Sequence, residues 1–414
     1  MTSKNIQSNR PLFILAGNGP YDNRGCEAIV RGTVKILRSY FNNPEFLVLS
    51  HYRTDDQFKN QKLKEPDRDI LHKKVLRLYN FLPSRFLQKI GLSLLPHQLR
   101  SGIVYQELIP YLRHCKAVLA VGGDNYSLNY GKPTLFTDLD NLVLSAKKPI
   151  IIWGASIGPF SQIPRYERYM KKHLKRISGI FARESATIEY LARIGITNNV
   201  YRVADPAFLL EPLQPSPSKF DNQISEGAIG INLSPLMAEY TTSGNLRKWV
   251  KQSAEIIKEL LKKIKRPIFL IPHVTSPQTD DYDFLKKVSF LVKGGQKIFL
   301  APPDLTAAET KWLISKTFVF AGSRTHSVIS AFSSGVPALS FAYSLKAQGI
   351  NRDVYSDERF CLNFGELKPS IVSTRIEEMI RRQRELKERV DSNLPKIKQL
   401  AMDAGKYLKD IINI

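Results

Sequence analysis

The stretch PLFILAGNGPYDNRGCEAIVRGTVKIL, residues 11–37, decides the fold class. Its first part, 11–16, is an apolar run that is too short for a helix and typical of a buried strand. A loop rich in Gly and Asn follows, and from about Glu27 onward apolar residues recur at helical spacing. A buried strand that leads through such a loop into an amphipathic helix predicts the first half of a parallel βαβ unit.

The same alternation continues along the chain. Further short apolar runs end in Gly or in polar loops, with segments of helical length between them: 46–50, 117–121, 149–153, 180–182 and 200–203. After a stretch rich in Pro, Ser, Gln and Asn, the pattern begins again with these runs: 229–232, 268–272, 297–300, 318–322 and 338–341. Two sets of alternating strands and helices predict an α/β protein made of two doubly wound, Rossmann-like domains.

We expect the first domain to span residues 1–210 and the second to span 227–371, joined by a linker at 211–226. A helix is predicted over 246–263. The charged tail, 372–414, has apolar residues at helical spacing and is predicted to form terminal helices that pack on one or both domains. In open α/β sheets, ligands bind beyond the carboxyl ends of the strands, so the site is expected in the cleft between the domains.

Composition excludes several classes of protein. Among 414 residues, 43% are hydrophobic, which is too many for a disordered basic protein, and three widely spaced Cys do not suit a disulfide-bonded scaffold or a Cys-based zinc site. No signal peptide or membrane-spanning stretch is visible, so we expect a cytoplasmic protein. The net charge of +23 leaves nucleic acid, a membrane surface or a small anion as partners.

Polar residues directly after the predicted strands form a recognisable set. They are 17–28 (GNGPYDNRGCEA), 121–123 (VGG), 154–159 (GASIGP), 182–185 (ARES) with 205–207 (DPA), and 322–327 (GSRTHS), followed by 335–337 (GVP), Tyr343 and Lys346. In this order and spacing, from about residue 12 to residue 349, the chain resembles the polysaccharide pyruvyl transferase family. Two positions depart from the family pattern: Cys26 stands where relatives often carry an acid, and Asp124 follows Gly123 where a third Gly is usual.

The resemblance implies a fold and an activity. The fold would be two Rossmann-like domains facing a cleft, as in GT-B glycosyltransferases, with C-terminal helices. The activity would be transfer of the enolpyruvyl group of phosphoenolpyruvate onto a sugar of a polysaccharide or lipid-linked glycan precursor, as a pyruvate ketal, with release of phosphate. Phosphoenolpyruvate would be the donor substrate, and we expect no cofactor and no metal.

Phosphoenolpyruvate carries a carboxylate and a phosphate, which the planar fork of Arg can bind with two hydrogen bonds. Arg183 and Arg324 follow strands of different domains and are expected to bind this anion from opposite walls, with Thr325 in the first turn of the next helix. His326 is the expected acid/base, because its ordinary pKa lies near neutrality. The alternative for each Arg is a structural salt bridge, and for the His a satisfied buried side chain.

Residues expected on the acceptor side lie in loops after strands. They are Asn23, Glu27, Asp124, Asn125 and His273. Asp124 and Asn125 are equally suited to capping a turn. For His273, a metal site with Asp280 or Asp281 is an alternative, although an ordinary loop position is favoured.

The remaining basic residues cluster in 59–100 and 165–176, where aromatic and apolar residues are interleaved. We expect 71–95 to be an amphipathic segment that faces an anionic membrane, where the resemblance implies that lipid-linked acceptors are held. A merely solvated charged surface is the alternative. As a function, a GT-B-type glycosyltransferase with a nucleotide-sugar donor is the second candidate. Nucleic-acid binding comes third, because no helix-turn-helix, zinc-finger or RRM signature supports it.

Overall fold

The computed structural model describes residues 10–76, 97–129, 131–220, 227–293, 297–343 and 345–413. Within these residues the first sheet is parallel throughout, with strand order β3-β2-β1-β4-β5-β6-β7. Its strands are β1 (Leu12–Asn18), β2 (Glu45–Ser50), β3 (Ile70–Lys74), β4 (Cys115–Val121), β5 (Ile150–Ala155), β6 (Gly179–Ala182) and β7 (Val200–Arg202). The order reverses between β1 and β4, which is where a doubly wound sheet binds its ligand.

Helices cover both faces of this sheet. They are α1 (Arg24–Tyr40), α2 (Asp55–Lys64), α3 (His97–Val104), α4 (Ile109–Leu112), α5 (Thr134–Ser145), α6 (Pro164–Leu174) and α7 (Ser185–Arg193), with a 3-10 turn at Pro206–Leu209. Every residue of β1 and of β5 is buried, because a parallel sheet covered on both faces requires apolar residues on both sides of its strands.

The second sheet is also parallel, with strand order β10-β9-β8-β11-β12-β13. Its strands are β8 (Ile229–Asn232), β9 (Ile268–Leu270), β10 (Ile298–Leu300), β11 (Val319–Gly322), β12 (Ala338–Ala342) and β13 (Cys361–Asn363). Its helices are α8 (Ala238–Thr241), α9 (Leu246–Lys263), α10 (Asp281–Val292), α11 (Ala307–Ser315), α12 (Thr325–Phe332), α13 (Leu345–Tyr355) and α14 (Pro369–Arg381). The predicted fold class, two Rossmann-like domains, is confirmed.

The C-terminal helix α15 (Gln383–Ile412) packs on both halves of the molecule. On the side of the first sheet, the ring of Tyr407 lies 4.9 Å from that of Tyr201 in β7. On the side of the second, the side-chain amide of Asn393 donates a hydrogen bond of 2.9 Å to the carbonyl oxygen of Val354. A helix that contacts both domains restrains their relative orientation, and with it the width of the cleft.

The sequence pattern missed β3 and β13, both of which are edge strands. In β3, Leu71 is exposed and His72, Lys73 and Lys74 are polar, so no apolar run marks it. The expected membrane-facing segment 71–95 was therefore wrong at its start, since Leu71 to Lys74 belong to the sheet. Its larger part, 77–95, lies outside the described residues. None of the helices in the described ranges combines the length and apolar character that crossing a membrane requires.

Candidate active site between the two sheets

A cavity of about 570 Å³ lies between the two domains, at the carboxyl ends of the strands. Loops after β1 and β4 form one wall, and the start of α12 forms the other. Its lining includes most of the site residues that the sequence predicted: Asn23, Asp124, Asn125, Arg183, His273, Arg324, Thr325 and His326. The volume is in the range of small-molecule sites.

Arg324 is held on one edge by a buried carboxylate. The guanidinium Nη2 donates to Asp281 Oδ1 at 2.8 Å and to the carbonyl oxygen of Thr279 at 3.0 Å, and Nε donates to the same Oδ1 at 3.2 Å. Asn232, at the end of β8, accepts a hydrogen bond from the backbone N–H of Arg324 and donates one to Asp281. The Arg324 side chain is 14% exposed and lines the cavity, so it is oriented with its charge beside the ligand space.

His326, in the first turn of α12, contacts a carboxylate of the other domain. Its Nε2 lies 3.3 Å from Asp205 Oδ2, and Asp205 Oδ1 accepts a hydrogen bond from the N–H of Ala207. Burial raises the pKa of Asp205, but His326 and Arg183 together outweigh burial and hold that pKa well below its ordinary value. The imidazole also packs closely on Gly25, since a Cβ there would lie 2.5 Å from Nδ1.

Arg183 directly follows β6, and its side chain is 1% exposed. Its Nη1 donates to Asp205 Oδ2 at 2.6 Å, its Nη2 to Asp124 Oδ1 at 3.0 Å, and its Nε to Ser156 Oγ at 2.9 Å. The Glu184 carboxylate lies 3.6 Å from Nε. Arg183 reaches the cavity wall as predicted, but its charge is surrounded by carboxylates, and its role as a donor ligand stays a prediction.

The first turns of α1 and α12 both line the cavity. In α1, the Asn23 side chain accepts a hydrogen bond from the N–H of Gly25 and so caps the helix. In α12, Thr325 is the first helical residue. Helix N-termini carry partial positive charge, so two of them at one cavity favour an anion. The first N–H groups of α1 already donate to Asn23 and to the carbonyl oxygen of His273. Cys26 also lines the cavity, but burial raises the pKa of its thiol to about 12, which keeps it neutral.

Two of the residues expected on the acceptor side, Asn125 and Glu27, form hydrogen bonds that hold the fold together. The Asn125 amide donates to the carbonyl oxygens of Gly17 and Val121, at 2.9 and 3.0 Å, and so fastens the loop after β4. Glu27 lies away from this cavity, and its carboxylate accepts a hydrogen bond of 2.8 Å from the N–H of Ala307 at the start of α11. Glu27 therefore joins the two domains.

His273 is 3% exposed and also joins the domains, because its carbonyl oxygen accepts a hydrogen bond from the N–H of Arg24. Burial lowers the pKa of His273 well below its ordinary value, and the neighbouring His326, Arg24 and Arg324 lower it further, so the His273 ring is neutral. Within the described residues, no group of three or more His, Cys, Asp and Glu could hold a metal ion. The acids after His273 have other roles. Asp280 caps α10, and Asp281 accepts hydrogen bonds from Arg324.

Three residues of the site were missed as functional by sequence reasoning. Asp205 was noted only as part of a motif, Asp281 only as an alternative metal ligand, and Asn232 not at all. The sequence held a signal for each, because the ligand was expected near strand ends and helix starts. Asp205 follows β7, Asn232 is the last residue of β8, and Asp281 is the first residue of α10. Their pairing with Arg324 and His326 joins residues distant in sequence, which a single sequence does not reveal.

Comparison with known proteins gives a family match and a curated relative. The family model for polysaccharide pyruvyl transferase matches residues 23–344. The curated protein "Amylovoran biosynthesis protein AmsJ" of Erwinia amylovora is 25% identical over 361 residues, which cover 83% of this chain and 86% of AmsJ.

Solved structures are similar in fold. The UDP-GlcNAc 2-epimerase of Neisseria meningitidis, bound to UDP-GlcNAc, superposes with a TM-score of 0.61 at 14% identity, covering 98% of this chain and 99% of its own. UGT2 of Phytolacca americana, complexed with UDP-2fluoro-glucose and pterostilbene, gives a TM-score of 0.57 at 13% identity, with 97% and 99% covered. At these identities the likeness concerns the fold: two Rossmann-like domains that enclose a cleft.

Proposed function

The chain belongs to the polysaccharide pyruvyl transferase family, and from this membership we propose that it transfers the enolpyruvyl group of phosphoenolpyruvate onto a sugar as a cyclic ketal. The observation that carries the proposal is the cavity in which Arg324, His326 and two helix N-termini meet. The likeness to AmsJ supports an acceptor among the precursors of an exopolysaccharide.

Donor binding is assigned to the second domain. Asp281 holds the guanidinium of Arg324 from one side, so the fork does not need to be ordered when the ligand arrives. The N-terminus of α12 adds N–H groups at Thr325 and beyond, which suit the phosphate or the carboxylate. A dianion in this position would neutralise the charge of Arg324, which lines the cavity.

His326 is proposed to move the protons. It delivers one to C3 of the donor, so that C2 becomes electrophilic and the first sugar hydroxyl adds there and loses its proton. The C–O bond to phosphate then breaks, and a second hydroxyl of the same sugar adds at C2 and loses its proton. The first hydroxyl proton replaces the one that His326 gave to C3, and the second leaves with the phosphate, which is released as HPO4²⁻. Asp205 keeps the imidazole in place.

The test is phosphate release from phosphoenolpyruvate with a panel of acceptor sugars. We expect His326→Ala to lower kcat by about 10²–10⁴-fold, the range for a lost acid/base, with little change in donor affinity. The matched control is His114→Ala, because His114 is exposed and outside the cavity. Equal turnover of the two variants would remove His326 from this role. UDP release from a nucleotide sugar, without use of phosphoenolpyruvate, would favour the glycosyltransferase alternative, whose fold this chain shares.

We also propose that a lipid-linked acceptor is met at an anionic membrane surface. Support comes from α6 and the residues that follow it, where five cations are exposed: Arg165, Arg168, Lys172, Lys175 and Arg176. Each cation near such a surface contributes about 1 kcal/mol. Flotation with phosphatidylserine vesicles tests this, and we expect binding that weakens as salt is added. Equal recovery with neutral phosphatidylcholine vesicles would contradict it.

A further inference from the structure

Three aromatic residues stand together beyond the carboxyl ends of strands in the second sheet. Tyr343 directly follows β12, Phe364 directly follows the neighbouring strand β13, and Tyr240 lies in α8, after β8. The ring of Tyr240 stacks on that of Tyr343, with centroids 5.0 Å apart and an interplanar angle of 23°. Its centroid lies 6.1 Å from that of Phe364. We call these three rings the aromatic strip.

The aromatic strip runs from the cavity to solvent. Tyr343 lines the cavity that holds Arg324 and His326, and Phe364, at the other end, is 45% exposed. Asp124, of the other domain, lines the same cavity as Tyr343, and after burial its carboxylate is the next cause of the raised pKa of Tyr240. One wall of the cleft mouth is therefore aromatic, and the other carries a carboxylate.

Sugar rings fit such a mouth. A pyranose has an apolar face of C–H groups, which packs on an aromatic ring, and an edge of hydroxyls, which donate to carboxylates. A nucleobase also packs on aromatic rings, so UDP binding is measured as the competing case.

On the basis of the proposed function, we propose that the aromatic strip binds the sugar rings of a glycan acceptor that lie beyond the ring receiving pyruvate. Tyr343 lies nearest the reacting ring, and Phe364 packs on a ring farther along the glycan. The enzyme then selects oligosaccharides over single sugars, because only a longer acceptor reaches Phe364.

The test compares Phe364→Ala with Phe290→Ala. Phe290 is 78% exposed and lies near the C-terminal end of α10, so it is a control of the same chemistry outside the cleft. Binding is measured by saturation-transfer NMR and titration, using methyl glycosides of galactose, glucose and mannose and linear trisaccharides of the same sugars. We expect Phe364→Ala to weaken binding of a trisaccharide by about tenfold, because the apolar contact between the Phe364 ring and one face of a sugar ring is lost. Methyl glycosides should bind equally to the two variants.

Three results would overturn the assignment: no trisaccharide binds the wild type, the two variants bind trisaccharides equally, or Phe364→Ala weakens UDP binding instead. Phosphate release from phosphoenolpyruvate is followed separately. If trisaccharide binding depends on Phe364 and no phosphate is released, the aromatic strip stands and the proposed reaction fails. If phosphate is released and the acceptor KM is insensitive to Phe364, the reaction stands and the aromatic strip fails.

Discussion

Arg183 and Arg324 occupy equivalent places in the two domains and have different surroundings. Each follows a parallel strand, and each lines the cavity between the sheets. Arg183 is surrounded by the carboxylates of Asp205, Asp124 and Glu184, whereas Arg324 forms a salt bridge with Asp281. In both domains a strand end brings a cation to the cavity, and the three carboxylates around Arg183 compensate its charge within the protein.

The largest expected effect is on stability, at Arg183. Arg183→Met removes the charge that compensates three buried or half-buried carboxylates, so we expect the free energy of unfolding to fall by about 3–5 kcal/mol. Urea unfolding measures it. Arg113→Met is the control, because Arg113 is exposed. If the two variants unfold at the same urea concentration, Arg183 is not the structural cation that its partners indicate.

Much of the fold could be predicted from the sequence, because apolar runs of buried strands are local signals. The helix predicted over 246–263 has the same bounds in α9. The edge strands β3 and β13 were missed, since edge strands need not be apolar on both faces. For the site, strand ends located Arg324 and His326. The sequence did not indicate that Arg183 would be enclosed, because its carboxylates come from three separate segments.

The next effect concerns His326, which links the surroundings of Arg324 to those of Arg183. His326 follows Arg324 in α12 and touches Asp205, a partner of Arg183, while it packs on Gly25. The Cβ of Gly25→Ala would overlap the imidazole, so His326 must move. We expect kcat to fall by about 10²-fold, as for a misplacement of about 1 Å.

Gly102→Ala is the control for this substitution. Gly102 lies in α3, and a Cβ there would have no neighbour within 4 Å among the described residues. We expect this variant to be active and more stable by about 0.5–1 kcal/mol, because Ala is favoured over Gly inside a helix. Full activity of Gly25→Ala would show that the position of His326 is not critical.

A smaller effect is expected at Arg324. Arg324→Lys keeps the charge beside Asp281 but replaces the fork by a point charge, so we expect the KM for phosphoenolpyruvate to rise about tenfold. The stability should change little, in contrast to Arg183→Met. Donor titration and urea unfolding of the same preparation measure both quantities. An unchanged KM together with a large loss of stability would make Arg324 a second structural cation.

The smallest effect extends the comparison to a third cation, Lys311, which is buried as Arg183 is. Within the described part of the chain Lys311 forms no salt bridge, and burial, followed by the nearby Lys398, lowers its pKa to about 7. The unfolded chain, with a Lys pKa of about 10.4, then binds more protons than the folded protein above pH 7, so stability rises with pH.

For a folded pKa of about 7, the gain between pH 7 and pH 8 is about 1 kcal/mol, and it continues toward pH 10. Lys311→Met removes the titrating group, so urea unfolding at the two pH values should lose that gain. Lys406→Met, at an exposed position of α15, should keep it. A gain that persists in Lys311→Met would place its origin elsewhere. Its loss would show that a buried cation with no salt bridge in the described part of the chain weakens the fold near neutral pH, whereas Arg183, paired with three carboxylates, stabilises it.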